Sequence, residues 1–269
     1  MNFFKNKIAI VVSLILIVYT VWRLFLGNID LEIEAWKLHY WGGTYQIVAI
    51  IGGIWGIIVA KKWGGYKSRL GRTILAFSFG LLAQSFGQTV YTYYVIKEIE
   101  AVYPSLGDVG YFGSVLFYIY GSLELMRVCY VRLSLKSTYG LIKILTIPAL
   151  ILGASYYVFL KDYQFDFAQP ITLFLDIGYP LGQALYVSLV LIILVSSKNI
   201  LGGIMQKPTV FLLVALIMQY VSDYTFLYLS SRSLWVPGGI NDYMYLVSYY
   251  LMTVALINIG RTFADLKNS

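Results

Sequence analysis

The sequence predicts an all-α integral membrane protein: one transmembrane domain spanning residues 1–269, a bundle of about eight helices. Three observations carry that expectation. The chain is 59% hydrophobic and only 12% charged, with a mean hydropathy of +0.73, whereas a soluble domain carries about a quarter charged residues and just under half apolar ones. Its apolar residues fall in runs long enough to cross a hydrocarbon core of about 30 Å, which takes about 20 helical residues. Its basic residues gather in alternate connections between those runs.

The runs give approximate spans at 8–27, 43–60, 71–96, 106–131, 139–160, 170–196, 208–230 and 240–262. The first follows Lys5 and Lys7 as a secretory signal would, but it is long and no small-residue cleavage site follows it, so it reads as a retained helix. The sixth and seventh open at Pro170 and Pro208, a residue favoured in the first helical turn. The eighth follows Pro237-Gly-Gly, a turn signal ahead of a helix start.

One set of connections receives Lys5, Lys7, Lys61, Lys62, Lys67, Arg69, Arg72, Arg127, Arg132, Lys136, Lys143, Lys198, Lys207, Arg261 and Lys267, fifteen of the twenty basic residues. The other set holds Arg23, Lys37, Lys97, Lys161 and Arg232 together with Asp30, Glu32, Glu34, Glu98, Glu100, Asp162 and Asp166. Cytoplasmic loops retain Lys and Arg. The expected topology is therefore N-in, C-in, in the plasma or inner cell membrane. The net charge of +7 sits beside span ends, where anionic lipid headgroups account for it, foremost at 61–72; nucleic acid is not an expected partner.

Asp108-Val-Gly-Tyr111 recurs as Asp176-Ile-Gly-Tyr179, and more loosely as Asp242-Tyr-Met-Tyr245; one interval earlier stands Gly42-Gly-Thr-Tyr45. The offsets of 68 and 66 residues make the repeating unit a two-helix hairpin, four of which compose the chain. Repeats in membrane proteins often place a binding site at their interface. Each motif opens an even-numbered span, where Asp can cap free backbone N–H groups and complement the helix dipole. Capping is the favoured reading for Asp242.

Asp176 fits capping less well, lying six residues beyond Pro170, about 9 Å along the axis. Asp223 fits it worst, fifteen residues beyond Pro208. Ionisable groups inside a membrane usually face a protein interior or a wet cavity. Asp108, Asp176, Asp223 and Asp242, with Gln84 and Gln88 one turn apart on the third span, are expected to line one outward-facing polar cavity. Arg23 is a candidate counter-charge.

Tyr91, Tyr111, Tyr179, Tyr224 and Tyr245 lie near the same level. Most of the 25 tyrosines read as interfacial aromatics, but Tyr111, Tyr179 and Tyr245 are assigned to the cavity, where carboxylates and ring faces favour a cationic or amphipathic ligand. Asp223, with no capping role to lose, is expected to tolerate replacement by Asn in folding. Glu124, three residues before Arg127, is read as an intrahelical ion pair.

Several chemistries lack their parts. His39 is the sole histidine and Cys129 the sole cysteine, so three-histidine zinc, bis-histidine haem, Ser-His-Asp catalysis, cysteine metal clusters and an internal disulfide cannot assemble. The eighth span has no lysine for a retinal Schiff base. Ser105-Leu-Gly-Asp108 resembles the Gly-x-Gly-Asp of intramembrane aspartyl proteases and Pro148-Ala-Leu150 a later motif of that group, but the first glycine is missing and the preceding span holds no acid. No catalytic or metal-ligating residue is assigned, and the cofactor is left open.

Tyr103-Pro-Ser-Leu-Gly-Asp108-Val-Gly-Tyr111 and Leu175-Asp-Ile-Gly-Tyr-Pro-Leu-Gly182 resemble motifs of the seven- to eight-helix membrane sensor modules at the N-terminus of bacterial diguanylate cyclases and histidine kinases. In that group Pro-Ser-x-x-Asp-x-x-Tyr and Asp-x-x-Tyr-Pro-Leu-x-Asp stretches open successive helices. Gly182 and Gln183 stand where the longer motif has its second acid, and no output domain follows, so the resemblance implies a separate signalling partner. The expected function is a receptor or sensor that binds a small ligand. A transporter or proton-coupled permease comes second, and an intramembrane enzyme third for want of a nucleophile–base pair.

Overall fold

The computed structural model describes residues 6–28, 31–99, 103–129, 138–161, 166–196 and 206–268, with side chains described except at 28, 31–33, 35, 138–144 and 268. Of the residues in the charge argument, Lys5, Asp30, Glu100, Arg132, Lys136, Asp162 and Lys198 lie outside the described ones. The described chain is helical: α1 (Lys7–Phe25), α2 (Leu31–Thr44), α3 (Ile47–Lys62), α4 (Arg69–Ile96), α5 (Leu106–Val128), α6 (Thr138–Ser155, continued by a π-helical turn at Tyr156–Leu160), α7 (Pro170–Ser196), α8 (Gln206–Ser230) and α9 (Ile240–Asn268).

Six stretches are long and apolar enough to cross a membrane: Lys7–Phe25, Trp36–Lys62, Leu106–Val128, Pro170–Ser196, Gln206–Ser230 and Ile240–Lys267. Two expected spans, the third and the fifth, are not among them. α4 has ample length but turns Thr73, Ser78, Gln84, Ser85 and Gln88 into the protein, and those inward polar groups dilute its apolar character. In the α6 region the apolar helical stretch is Leu145–Leu160. The second span also begins earlier than 43: α2 runs into α3 across a break at Tyr45–Gln46, where Val48 N–H donates to Tyr45 O at 3.3 Å.

Local chemistry fixes the helix starts. The Asn6 side chain accepts from Ile8 N–H at 2.9 Å and Ser68 Oγ from Gly71 N–H at 2.8 Å. Ser105 and Asp108 form a capping box on α5, each side chain satisfying a backbone donor near the other. Gly64, at φ +89°, makes the turn between α3 and α4 that a side chain would strain.

Six helices close a ring in the order α3, α4, α5, α7, α8, α9 and back to α3. α1 lies outside it against α9, antiparallel, with Ser13 Oγ 3.1 Å from the Tyr250 hydroxyl and Thr20 Oγ1 3.1 Å from that of Tyr243. α6 lies outside against α7. Small residues allow the closest approach: a Cβ at Gly110 of α5 would stand 2.5 Å from Ala83 O and 2.7 Å from Gly87 N of α4, as expected where helices associate through small residues.

The distribution of side chains is inverted relative to a soluble protein. Leu14, Ile17, Val18, Leu24, Phe25, Leu116, Ile171 and Leu185 are exposed, while Gln84, Gln88, Glu124, Gln183, Gln219, Asp223 and Asp242 are buried. Polar interiors with apolar exteriors, on several long apolar helices, are the pattern of a multi-pass membrane bundle.

The up-and-down course brings the start of α1, the end of α3, the starts of α4 and α8, and the ends of α5 and α9 to one end of the ring. Lys7, Lys61, Lys62, Arg69, Arg72, Arg127, Lys207, Arg261 and Lys267 mark that end. Glu124, 2% exposed, is held there by Arg127 at 2.5 Å and by Arg72 of α4 at 3.0 Å. The ion pair is thus interhelical as well as intrahelical, pinning α4 to α5; Arg72, 52 positions away in sequence, gives no periodic signal of the contact.

Candidate ligand cavity

At the opposite end the ring opens around a cavity of about 520 Å³. It forms where the helices carry their polar residues: the end of α4, the starts of α5, α7 and α9, and the end of α8. All nine residues assigned to a cavity from sequence border it: Gln84, Gln88, Asp108, Tyr111, Asp176, Tyr179, Asp223, Asp242 and Tyr245. Tyr45 borders it as well, so the tyrosine of each of the four motif copies faces the same space. Among the described lining residues there is no Lys, Arg or His.

Each carboxylate is held differently. Asp108 Oδ2 accepts from Ser105 N–H at 2.8 Å and Ser105 Oγ at 3.1 Å, and Oδ1 accepts from the Tyr179 hydroxyl at 2.9 Å. It caps α5 and ties α5 to α7. Asp242, the third residue of α9, is 3% exposed and its Oδ2 accepts from Gly238 N–H at 2.7 Å. The capping reading holds for its backbone contact, and it lines the cavity too. Gly238 sits at φ +69° against Leu38 of α2, where a side chain would meet backbone.

Asp176 accepts from the Tyr103 hydroxyl at 2.7 Å. Asp223 is 3% exposed; its Oδ1 accepts from Gln219 Nε2 at 2.9 Å and the Tyr245 hydroxyl at 3.0 Å, and its Oδ2 from the Tyr186 hydroxyl at 3.1 Å. Ser248 Oγ in turn donates to Gln219 Oε1 at 2.7 Å. Asp223 is therefore the centre of a network joining α7, α8 and α9.

The two glutamines of α4 are equally engaged. Gln84 donates to Ser114 Oγ at 2.7 Å and accepts from the Tyr249 hydroxyl at 3.2 Å. Gln88 donates to Gly42 O at 2.9 Å and accepts from the Tyr111 hydroxyl at 2.9 Å. Tyr91 also borders the cavity. Tyr224 does not; it hydrogen-bonds Ser155 of α6 and packs on Phe159. Arg23 stands outside the lining but near enough to Asp242 for a favourable Coulombic interaction, with its Nε buried and unpartnered.

Tyr103, Gln183, Trp235 and Tyr249 line the cavity, and Tyr186 and Gln219 support it, without having been assigned to it from sequence. A signal for most of them exists: Gln183 and Tyr186 lie four and seven residues after Tyr179, Tyr249 four after Tyr245, and Gln219 four before Asp223, all on the helical face of an assigned residue. Among the described residues, no cluster of three or more His, Cys, Asp and Glu is arranged to hold a metal. Comparison with protein-family models, with curated proteins and with solved structures finds no match to this chain.

Proposed function

We propose that the protein is a non-enzymatic membrane receptor or sensor that binds a small cationic or amphipathic ligand in this cavity. The observation that carries the reading is the lining itself: four aspartates from four different helices, rings of tyrosine between them, and no basic side chain among the described lining residues. Carboxylates gathered at one cavity favour a cation, and ring faces add attraction. With the basic end in the cytoplasm, as the loop charges favour, the cavity faces outward and the 61–72 turn meets anionic headgroups. Binding across α5, α7, α8 and α9 favours the arrangement that fits the ligand best, and that change is read by a separate partner at the basic end. The resemblance to sensor modules and the four-hairpin repeat agree with this reading.

A transporter is the second reading. The receptor is preferred because the half of the ring beyond the cavity is filled mainly by fully buried apolar side chains, among them Ile74, Phe77, Ile193, Leu212, Leu213 and Leu256, with Glu124 locked between two arginines. The test pairs two measurements on wild-type protein. Amphipathic ammonium ions should raise the melting temperature while carboxylates of equal chain length do not, and reconstituted vesicles should show no protein-dependent flux of amines or protons. Flux abolished by Asp223→Asn would make the protein a transporter.

A further inference from the structure

Taking the cavity as a cation site, we infer that its ligand is an amine bearing N–H groups, a primary or secondary ammonium, and that quaternary ammonium ions are discriminated against. The inference rests on where the protons of the lining point. A tyrosine hydroxyl has one proton to donate and keeps lone pairs to accept with. Five of the seven tyrosines among the described lining residues commit that proton within the protein: Tyr103 to Asp176, Tyr179 to Asp108, Tyr245 to Asp223, Tyr111 to Gln88 and Tyr249 to Gln84. The amides of Gln84 and Gln88 likewise donate to Ser114 and to the Gly42 carbonyl. With those protons turned into the protein, the five phenols present oxygen lone pairs to the cavity.

A second observation points the same way. Gln183, 4% exposed, lines the cavity and its Oε1 is buried with no hydrogen-bond partner. An unsatisfied buried acceptor is costly, and one at the wall of a polar cavity is a place for a ligand donor. Gln183 stands on the face of α7 shared with Tyr179 and Tyr186, the residues that bond Asp108 and Asp223. The indole N–H of Trp235 is the counter-example among the described lining residues, a buried donor without a partner; it packs between Tyr91 and Phe226, where it suits an acceptor elsewhere on the ligand. A quaternary ammonium presents only methyl groups and gives Gln183 Oε1 no donor.

The test is isothermal titration of the purified full-length protein with hexylammonium, hexyltrimethylammonium and hexanoate. Hexylammonium should bind at least about tenfold more tightly than the trimethyl analogue, a difference of about 1.4 kcal/mol, and hexanoate should not bind. Equal or tighter binding of the trimethyl ion overturns this inference and leaves the cation site standing; binding of hexanoate alone, or of none of the three, overturns the cation site itself. In Gln183→Leu the melting temperature should hold or rise, because an unsatisfied amide is removed, while hexylammonium affinity falls several-fold and hexyltrimethylammonium affinity does not. A loss shared equally by both ions would make Gln183 a matter of cavity shape and overturn its role as acceptor.

Discussion

The Tyr186 hydroxyl of α7 donates to Asp223 Oδ2 of α8 at 3.1 Å, and with Gln219 and Tyr245 on Oδ1 it makes Asp223 an acceptor of three hydrogen bonds. Asparagine keeps one oxygen for Gln219 and Tyr245 but turns an N–H₂ toward the Tyr186 hydroxyl, which can then only accept from it and loses the acceptor for its own buried proton. Asp223→Asn should destabilise the protein by about 1–3 kcal/mol and Tyr186→Phe by about 1 kcal/mol, measured by chemical or thermal unfolding in detergent. From sequence alone the expectation for Asn is the opposite, because two of the three donors to Asp223, Tyr186 of α7 and Tyr245 of α9, come from helices whose proximity it does not disclose. An Asp223→Asn variant as stable as wild type would remove the network from the account.

Asp242 separates capping from binding. Its Oδ2 accepts from Gly238 N–H, a role the amide oxygen of Asn can take over, so Asp242→Asn should leave stability nearly unchanged. Asp242→Ala should cost about 1 kcal/mol, the usual loss of a cap. Both should weaken binding of an ammonium ion, which titration against the two variants would record. Full affinity in Asp242→Asn would take Asp242 out of the binding site.

The contact between α4 and α5 depends on the absence of a side chain at Gly110. A Cβ there would press on Ala83 O and Gly87 N of the facing helix, backbone atoms that cannot turn aside. Gly110→Val should cost about 1–3 kcal/mol or more, the range for overpacking, whereas Gly113→Val, whose Cβ meets nothing within 4 Å, should be close to neutral in stability. Thermal unfolding of the pair side by side checks this.

Topology can be read by thiol labelling against a quiet background, since Cys129 is buried. Ser68 and Ser105, natural choices from the loop charges, are both helix caps, and Ser197 lies outside the described residues. Tyr66, 76% exposed at the basic end, and Leu234, 61% exposed beside the cavity, are better sites. With the basic end cytoplasmic, an impermeant reagent on intact cells should label Leu234→Cys and not Tyr66→Cys. The reverse pattern would invert the bundle.

The sequence made the apolar helices legible because runs of about twenty apolar residues have little alternative to a span. It did not disclose α2, whose Leu31–Thr44 segment mixes Glu32, Glu34, Lys37 and His39 with its apolar residues and whose ordering comes from contacts such as Trp41 Nε1 on Tyr19 O, 2.9 Å. The candidate residues were legible through depth and repetition: an Asp or Gln far from a helix end must face inward, and the Asp-x-x-Tyr stretch recurs near the starts of α5, α7 and α9. Tyr186 and Tyr249 share a helical face with Tyr179 and Tyr245, but that spacing does not say what their hydroxyls meet. Their roles depend on which helices become neighbours in the ring, and that is tertiary information.

The central claim, that the cavity holds a small cation, is tested most directly by native mass spectrometry of wild-type protein extracted gently from its own membrane. The account predicts a bound species of a few hundred daltons or less whose released form is an N–H-bearing amine, present on wild type and lost from Asp242→Asn. A bound carboxylate or phosphate occupying the wild-type protein and retained when Asp242 is replaced would contradict it.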